Sequence, residues 1–282
     1  MIQNFLSSWP LFYPTYLTGW LICFLLSLIG VLVVARDQIF IGAAVSQAST
    51  LGIAFTMWAA LVFHLERFSW FQSDVFSSAT AVIFSIFAAS ITGRGGETGK
   101  ESHEAITGWV FLISASLSIL IVSHSPHGLE EIHRLLSSSI IGATPSDIWN
   151  FSALTFLTAL LILLFYRKIL LFALDPSMAS AIGMKMKIWS LATSAWLGLA
   201  VGLSIRATGM LYTFGCLVLP ALVAKNVCRE IRYMFLVAPI VAVGTGVIGF
   251  LCANQYDYPP GQMIVCLFCL ELIVVWVLRR HR

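Results

Sequence analysis

Charge is scarce in this chain. Only 10% of its 282 residues are Asp, Glu, Lys or Arg, while 59% are hydrophobic. Ordinary soluble domains carry about 25% charged residues, so a water-soluble globular class is excluded and a polytopic membrane protein is expected. A basic start followed by a short apolar core and a small-residue cleavage site is also missing from Met1 to Pro14, so no cleavable signal peptide is expected. The excess of positive charge is small, +3 at pH 7. Its placement at the ends of apolar runs accounts for it without any nucleic-acid partner.

A disulfide framework is lacking as well. Of the six cysteines, Cys23, Cys216, Cys252, Cys266 and Cys269 fall inside apolar runs, and Cys228 sits in a basic loop. Reduced thiols used as small apolar fillers are the expectation. A phosphate-binding loop is absent too. The polar stretch Arg94 to Glu104 contains Gly95, Gly96, Gly99 and Lys100, but the Gly and Lys spacing is wrong and no parallel-sheet pattern surrounds it.

What the chain has in quantity is apolar runs of spanning length, about 17–25 residues each. They lie near 15–34, 39–63, 74–92, 105–122, 147–166, 188–205, 208–224, 233–252 and 261–278. The expected class is therefore all-α: a polytopic helix bundle of about nine spans. Only Arg206 and its neighbours part the runs 188–205 and 208–224, so eight spans is the alternative. With the N-terminus outside, only Arg67, Arg134 and Arg206 of the 16 basic residues lie outside, and every other Lys and Arg lies inside. The positive-inside rule selects that orientation, with the C-terminus in the cytoplasm.

Four places draw attention as candidate sites. The second run opens Gly42-Ala43-Ala44-Val45-Ser46-Gln47-Ala48-Ser49-Thr50-Leu51-Gly52. Its small residues suit close helix packing, and its polar residues Ser46, Gln47, Ser49 and Thr50 suit a polar path across the membrane; both readings are open. Asp175-Pro176 reads as a helix start and Gly183 as its stop, which gives a helix of about two turns. That helix is too short to span and is placed in the cytoplasm, with Lys185 and Lys187 beside it. Glu271 is a carboxyl well inside the last run. An intramembrane acid is a functional candidate, and pairing with a basic residue at the inner end, such as Arg279, is the alternative. His124, His127 and His133 with Glu130 and Glu131 form an outer cluster, read as an exposed polar helix or a metal-capturing rim.

These stretches, taken in order, resemble the permease subunits of zinc, manganese and iron ABC importers. Gly42 to Gly52 resembles that family's Gly-Asp-x-x-x-His-Ala-Ser-x-x-Gly pattern. Ala105-Ile106-x-Gly108, Asp175-Pro176 through Ala179, Ala181 and Gly183, Gly209 through Leu217-Val218-Leu219-Pro220-Ala221, and Asp257-x-Pro259-x-Gly261 resemble its later signatures. The resemblance implies a single permease domain over 1–282 in the cytoplasmic membrane of a bacterium. It implies a coupling helix near 175–184, with Asp175, Pro176, Ala179 and Gly183 meeting a separate cytoplasmic ATPase. ATP and Mg belong to that ATPase, so this subunit holds no cofactor and is not an enzyme. Its other implied partners are a second permease subunit, an extracytoplasmic metal-binding protein and membrane lipid. Ala43, Ser46, Gln47, Ser49 and Thr50 would border the path, with Gln47 and Glu271 as the metal-ligand candidates. One departure stands out: the pattern's Asp and His are Ala43 and Gln47 here, which are poor ligands for a transition metal. The chain is thus read as a metal-importing permease or, alternatively, as a metal-site-deficient half of a heterodimer. A secondary transporter is a third reading.

Overall fold

The computed structural model describes residues 2–62, 74–93, 102–123 and 143–280. Among these residues every regular element is an α-helix, and nine of the helices are long and apolar enough to cross a membrane. The elements are α1 (Ile2–Ala35), α2 (Phe40–Val62), α3 (Asp74–Gly93), α4 (His103–Val122), α5 (Pro145–Leu174), the short α6 (Pro176–Ala181), α7 (Met186–Thr208), α8 (Met210–Val227), α9 (Ile231–Tyr256) and α10 (Pro260–Arg280).

The nine expected runs each become one helix. The doubtful pair resolves into α7 and α8, separated at Gly209, whose φ of 77° breaks the helix in a conformation glycine adopts without a Cβ penalty. Among the described residues the candidate spans therefore number nine rather than eight. Helix α1 starts earlier than the run at 15 suggests, continuing through Pro10 and Pro14. Aromatic contacts brace that early stretch: Trp9 lies 5.8 Å from Tyr16 and 6.1 Å from Trp20, centroid to centroid. At 30 residues α5 outruns a bilayer core of about 30 Å. It bends at Phe165 (φ −107°, ψ 15°), and Arg167 and Lys168 follow the bend directly. Its start is fixed locally, where the Thr144 N–H donates to Asp147 Oδ2 at 2.8 Å.

The contacts group into two compact units. In the first, α1 packs on α5, α8 and α9, and α8, α9 and α10 pack on one another. One end of this unit is laced by polar groups. Lys225 pairs with Asp37 at 2.7 Å, Arg279 donates to Asn226 Oδ1 at 2.9 Å, and the Arg36 guanidinium stands 4.4 Å over the Phe172 ring.

In the second unit α2 packs on α3 and α4, and α7 meets α3 through backbone carbonyls. Ser85 donates to the Gly198 carbonyl at 2.6 Å, and Ser190 to that of Gly93 at 3.0 Å. Small residues set the spacing. Ala44 and Ala48 of α2 pack with Ala88 and Val110. A Cβ on Gly52 would stand 2.7 Å from the Thr80 carbonyl oxygen and 2.9 Å from Ala81 Cα. Beside it Thr56 and Thr80 share a hydrogen bond of 2.6 Å between their hydroxyls.

Gly52→Val is therefore expected to force α2 from α3 and to lower stability by about 2 kcal/mol or more, in the range for overpacked sites. Thermal unfolding of the detergent-solubilised protein checks this; an unchanged midpoint would mean that the α2–α3 contact is not close.

Candidate functional site

The polar stripe of α2 divides the helix into two faces. Positions 43, 46, 47 and 50 fall at i, i+3, i+4 and i+7, on one face. Positions 44, 48 and 52 fall on another, the one used to pack α3 and α4. Ser46, Gln47, Ser49 and Thr50 are all buried and Ala43 is half-buried, so none of the five is an exposed lipid-facing residue. Thr50 donates to the Ser46 carbonyl at 3.2 Å, within its own helix. The hydroxyls of Ser46 and Ser49 have no hydrogen-bond partner among the described residues. The stripe thus offers neutral oxygens and no carboxylate, imidazole or thiolate.

The segment after α5 is built as its residues suggest. Asp175 ends α5 and begins α6, its carboxylate accepting from the Met178 N–H at 2.9 Å and from the Ser177 hydroxyl at 2.5 Å. Pro176 takes the first helical position, where a missing N–H does no harm. Gly183, at φ 83°, stops the turn with open space around it. Around this helix Leu174, Met178 and Ile182, spaced i, i+4 and i+8, are exposed at 56%, 55% and 62%, whereas Ala179 is fully buried. Ala181 is exposed. Leu174, Met178 and Ile182 thus form an exposed apolar row along the short helix.

Glu271 lies in the first unit beside an open cleft of about 520 Å³ lined by α8, α9 and α10. Its Oε1 accepts from the Thr245 hydroxyl at 2.5 Å, and its Oε2 has no hydrogen-bond partner among the described residues. The expected alternative, a pair with Arg279, is not formed: Arg279 is turned to Asn226 of α8. Sequence reasoning missed Thr245, which lies on a different helix and carries no local signal. Cys266 and Cys269 are exposed on α10 and do not join Glu271 in a ligand set. No group of three His, Cys, Asp or Glu able to hold a metal occurs among the described residues. The outer His124, His127, His133, Glu130 and Glu131 cluster and the Arg94–Lys100 stretch lie outside them.

With this geometry in hand, the comparisons decide the family. The ABC 3 transport family matches residues 8–279. The chain belongs to that family. Among its relatives is the chelated iron transport system membrane protein YfeD of Yersinia pestis, 24% identical over 86% of this chain and 77% of that one. Another is the manganese import system permease protein ScaB of Streptococcus gordonii, 23% identical over 97% and 94%. Among solved structures, PsaBC from Streptococcus pneumoniae in complex with Fab superposes with a TM-score of 0.79 at 19% identity, covering 98% of this chain and 95% of that chain. An inward-facing putative metal-chelate type ABC transporter gives 0.74 at 15%, covering 94% and 85%. At these identities the superpositions speak for the fold alone, and in this ABC 3 chain that fold is a helical bundle with nine candidate spans among the described residues.

The cap of α6 generates a prediction with a definite pH sign. Hydrogen bonds from the Ser177 hydroxyl and the Met178 amide hold the Asp175 carboxyl below its ordinary value. A depressed folded-state value means that the cap contributes fully above the unfolded value, about pH 4. It is lost only as the pH falls through the depressed one. Hydrogen exchange at the Met178 amide, corrected for intrinsic rates, should stay slow down to about pH 4. Asp175→Ala should speed it throughout the range above about pH 4, where the wild-type cap is intact, and Asp175→Asn should retain the protection. Equal exchange in the wild type and Asp175→Ala would remove the cap from the account.

Proposed function

We propose that the chain is the permease subunit of an ABC importer for a divalent metal, with manganese and iron the first cargoes to test and zinc within the same class. The observation that carries this reading is the match of the ABC 3 transport family to almost the whole chain. The names of the relatives, for iron and manganese, support the cargo. On this reading residues 1–282 are one permease domain in a bacterial cytoplasmic membrane, with the N-terminus outside and the C-terminus in the cytoplasm, as the distribution of Lys and Arg supports.

In that setting α6 is the coupling helix. Asp175 and Pro176 start it, Gly183 ends it and Ala179 seats it on its own subunit. Leu174, Met178 and Ile182 then face a cytoplasmic ATPase, and Lys185 and Lys187 suit an acidic rim on that partner. The ATPase binds ATP and Mg; this chain supplies no catalytic residue. A second permease subunit completes the pore, and an extracytoplasmic binding protein delivers the metal.

The path residues of this subunit are Ala43, Ser46, Gln47, Ser49 and Thr50. A bare transition-metal ion that sheds its water needs donors that offset the lost hydration, and neutral hydroxyl and amide oxygens do so poorly. This observation favours a second reading in which the chain is one half of a heterodimer and the other permease supplies the metal ligands. Gln47 and Glu271 remain the candidate donors of this chain.

Two experiments test the proposal. In the transporter reconstituted with its ATPase, Ala181→Trp at the exposed face of α6 should lower ATP-driven manganese uptake by about tenfold or more, the effect of losing roughly 1.4 kcal/mol at a docking contact. It should leave thermal stability unchanged. Undiminished ATPase binding and uptake would count against α6 as the coupling element. For the path, Ala43→Asp with Gln47→His places a carboxylate and an imidazole on one face, at i and i+4. Calorimetric titration of the isolated permease should show weak manganese and zinc binding before the change and clearly tighter binding after it. Tight binding by the unaltered chain would put the metal elsewhere, with Glu271 the next residue to change.

A further inference from the structure

Away from the candidate site, α1, α8 and α9 of the first unit meet at two thiols and a phenol. The Cys23 and Cys216 sulfur atoms are 3.0 Å apart, and Tyr212 Oη lies 3.0 Å from Cys23 Sγ. The Tyr212 hydroxyl also donates to the Gly19 carbonyl at 2.9 Å. All three side chains are fully buried. Gly246 of α9 closes the site, since a Cβ there would lie 3.8 Å from the Cys23 sulfur.

We propose that Cys23 and Cys216 are an oxidisable thiol pair that closes, under a hydroperoxide, to a reversible disulfide bracing α1 against α8. The sulfurs need approach by only about 1 Å more to reach bonding distance, so helix movement is small. Full burial selects the oxidant, which must be small and uncharged to reach the pair; hydrogen peroxide meets both conditions. The chemistry balances without any further reagent. The Cys23 sulfur attacks one peroxide oxygen, the O–O bond breaks, and the departing oxygen takes the thiol proton and leaves as water. The Cys216 sulfur then attacks the sulfenic sulfur of Cys23. The S–S bond forms, the S–O bond breaks, and that oxygen leaves as a second water with the Cys216 proton. Both thiols are oxidised and the peroxide is reduced. Reactants and products are neutral throughout, so no charge is left in the apolar interior. Cys23 is assigned the first step because its sulfur touches both the phenol and the second thiol. A thiol-only cluster held by mutual hydrogen bonds is the competing account, and it gives the opposite result in the experiment below.

Membranes containing the reduced full-length protein are treated with hydrogen peroxide, denatured, alkylated with N-ethylmaleimide and mapped by mass spectrometry. The expected result is a molecule carrying two fewer alkyl groups than the six its cysteines take when reduced. A peptide pair linked through Cys23 and Cys216, restored to free thiols by dithiothreitol, should accompany it. Cys216→Ala should abolish that linkage. Because a variant at a buried site can misfold, the wild-type peptide map decides on its own. Alkylation of both Cys23 and Cys216 after peroxide overturns the proposal. So does oxidation confined to Cys228, Cys252, Cys266 and Cys269, the more exposed thiols.

Discussion

A backbone amide or carbonyl left unpaired in hydrocarbon costs several kcal/mol, on the order of what a whole domain can spare. The rest of this structure depends on that constraint. It makes every spanning run a helix, and it disciplines the hydroxyl side chains in the same way. Thr50, Thr92, Thr158 and Ser204 each donate to the carbonyl four residues earlier in their own helix. A hydroxyl bonded in this way is satisfied without a neighbour, so serine and threonine enter a span at little cost. The short α6 is different. It does not span, so its ends need local partners, and Asp175 at the start and Gly183 at the stop supply them.

Once backbone groups are paired internally, contact between helices rests on van der Waals fit, which rewards small residues. Ala44, Ala48 and Gly52 serve that purpose for α2. In the first unit a Cβ on Gly30 of α1 would overlap the Leu217 carbonyl of α8. That crossing lies near Cys23 and Cys216 along the same two helices, and close crossing is what brings the two sulfurs together. Packing and the thiol contact therefore share one cause.

Much of this was legible in the sequence, for physical reasons that differ by feature. Span number followed from run length, because hydrocarbon thickness fixes the length a helix needs. The limits of α6 followed from Asp175-Pro176 and Gly183, because capping and positive φ are local chemistry. The early start of α1 was not legible, because the apolar run near 15–34 carries no sign of a helix continuing back through Pro14 and Pro10; the tilted contacts of Trp9 with Tyr16 and Trp20 that accompany it are not a property of any one short stretch. Nor was the partner of Glu271. Proximity in sequence pointed to Arg279, whereas the structure gives Glu271 to Thr245 of α9 and Arg279 to Asn226 of α8. The Tyr212–Cys216 spacing on α8 was visible, but nothing near Cys23 announced that it would meet them.

The two sequence readings of α2, close packing and a polar path, are not rivals once its faces are separated. The packing face holds alanine and glycine against α3 and α4, and its one hydroxyl beside Gly52, that of Thr56, is bonded to Thr80 and to the Gly52 carbonyl. Ser46 differs from the self-bonded hydroxyls elsewhere in the spans because its oxygen donates to no backbone carbonyl, although the residue is fully buried. Ser49 shares that property. Burying an unpaired hydroxyl costs about 1–3 kcal/mol, and a serine with only a packing role has alanine as a cheaper substitute. The path reading assigns that cost a use, since a hydroxyl not committed to its own helix is free to bind a passing ligand or its water. Neutral donors of this kind hold such a ligand weakly, which suits a path along which the cargo must also leave. The same reasoning separates these serines from Thr50, whose hydroxyl is already spent on the Ser46 carbonyl.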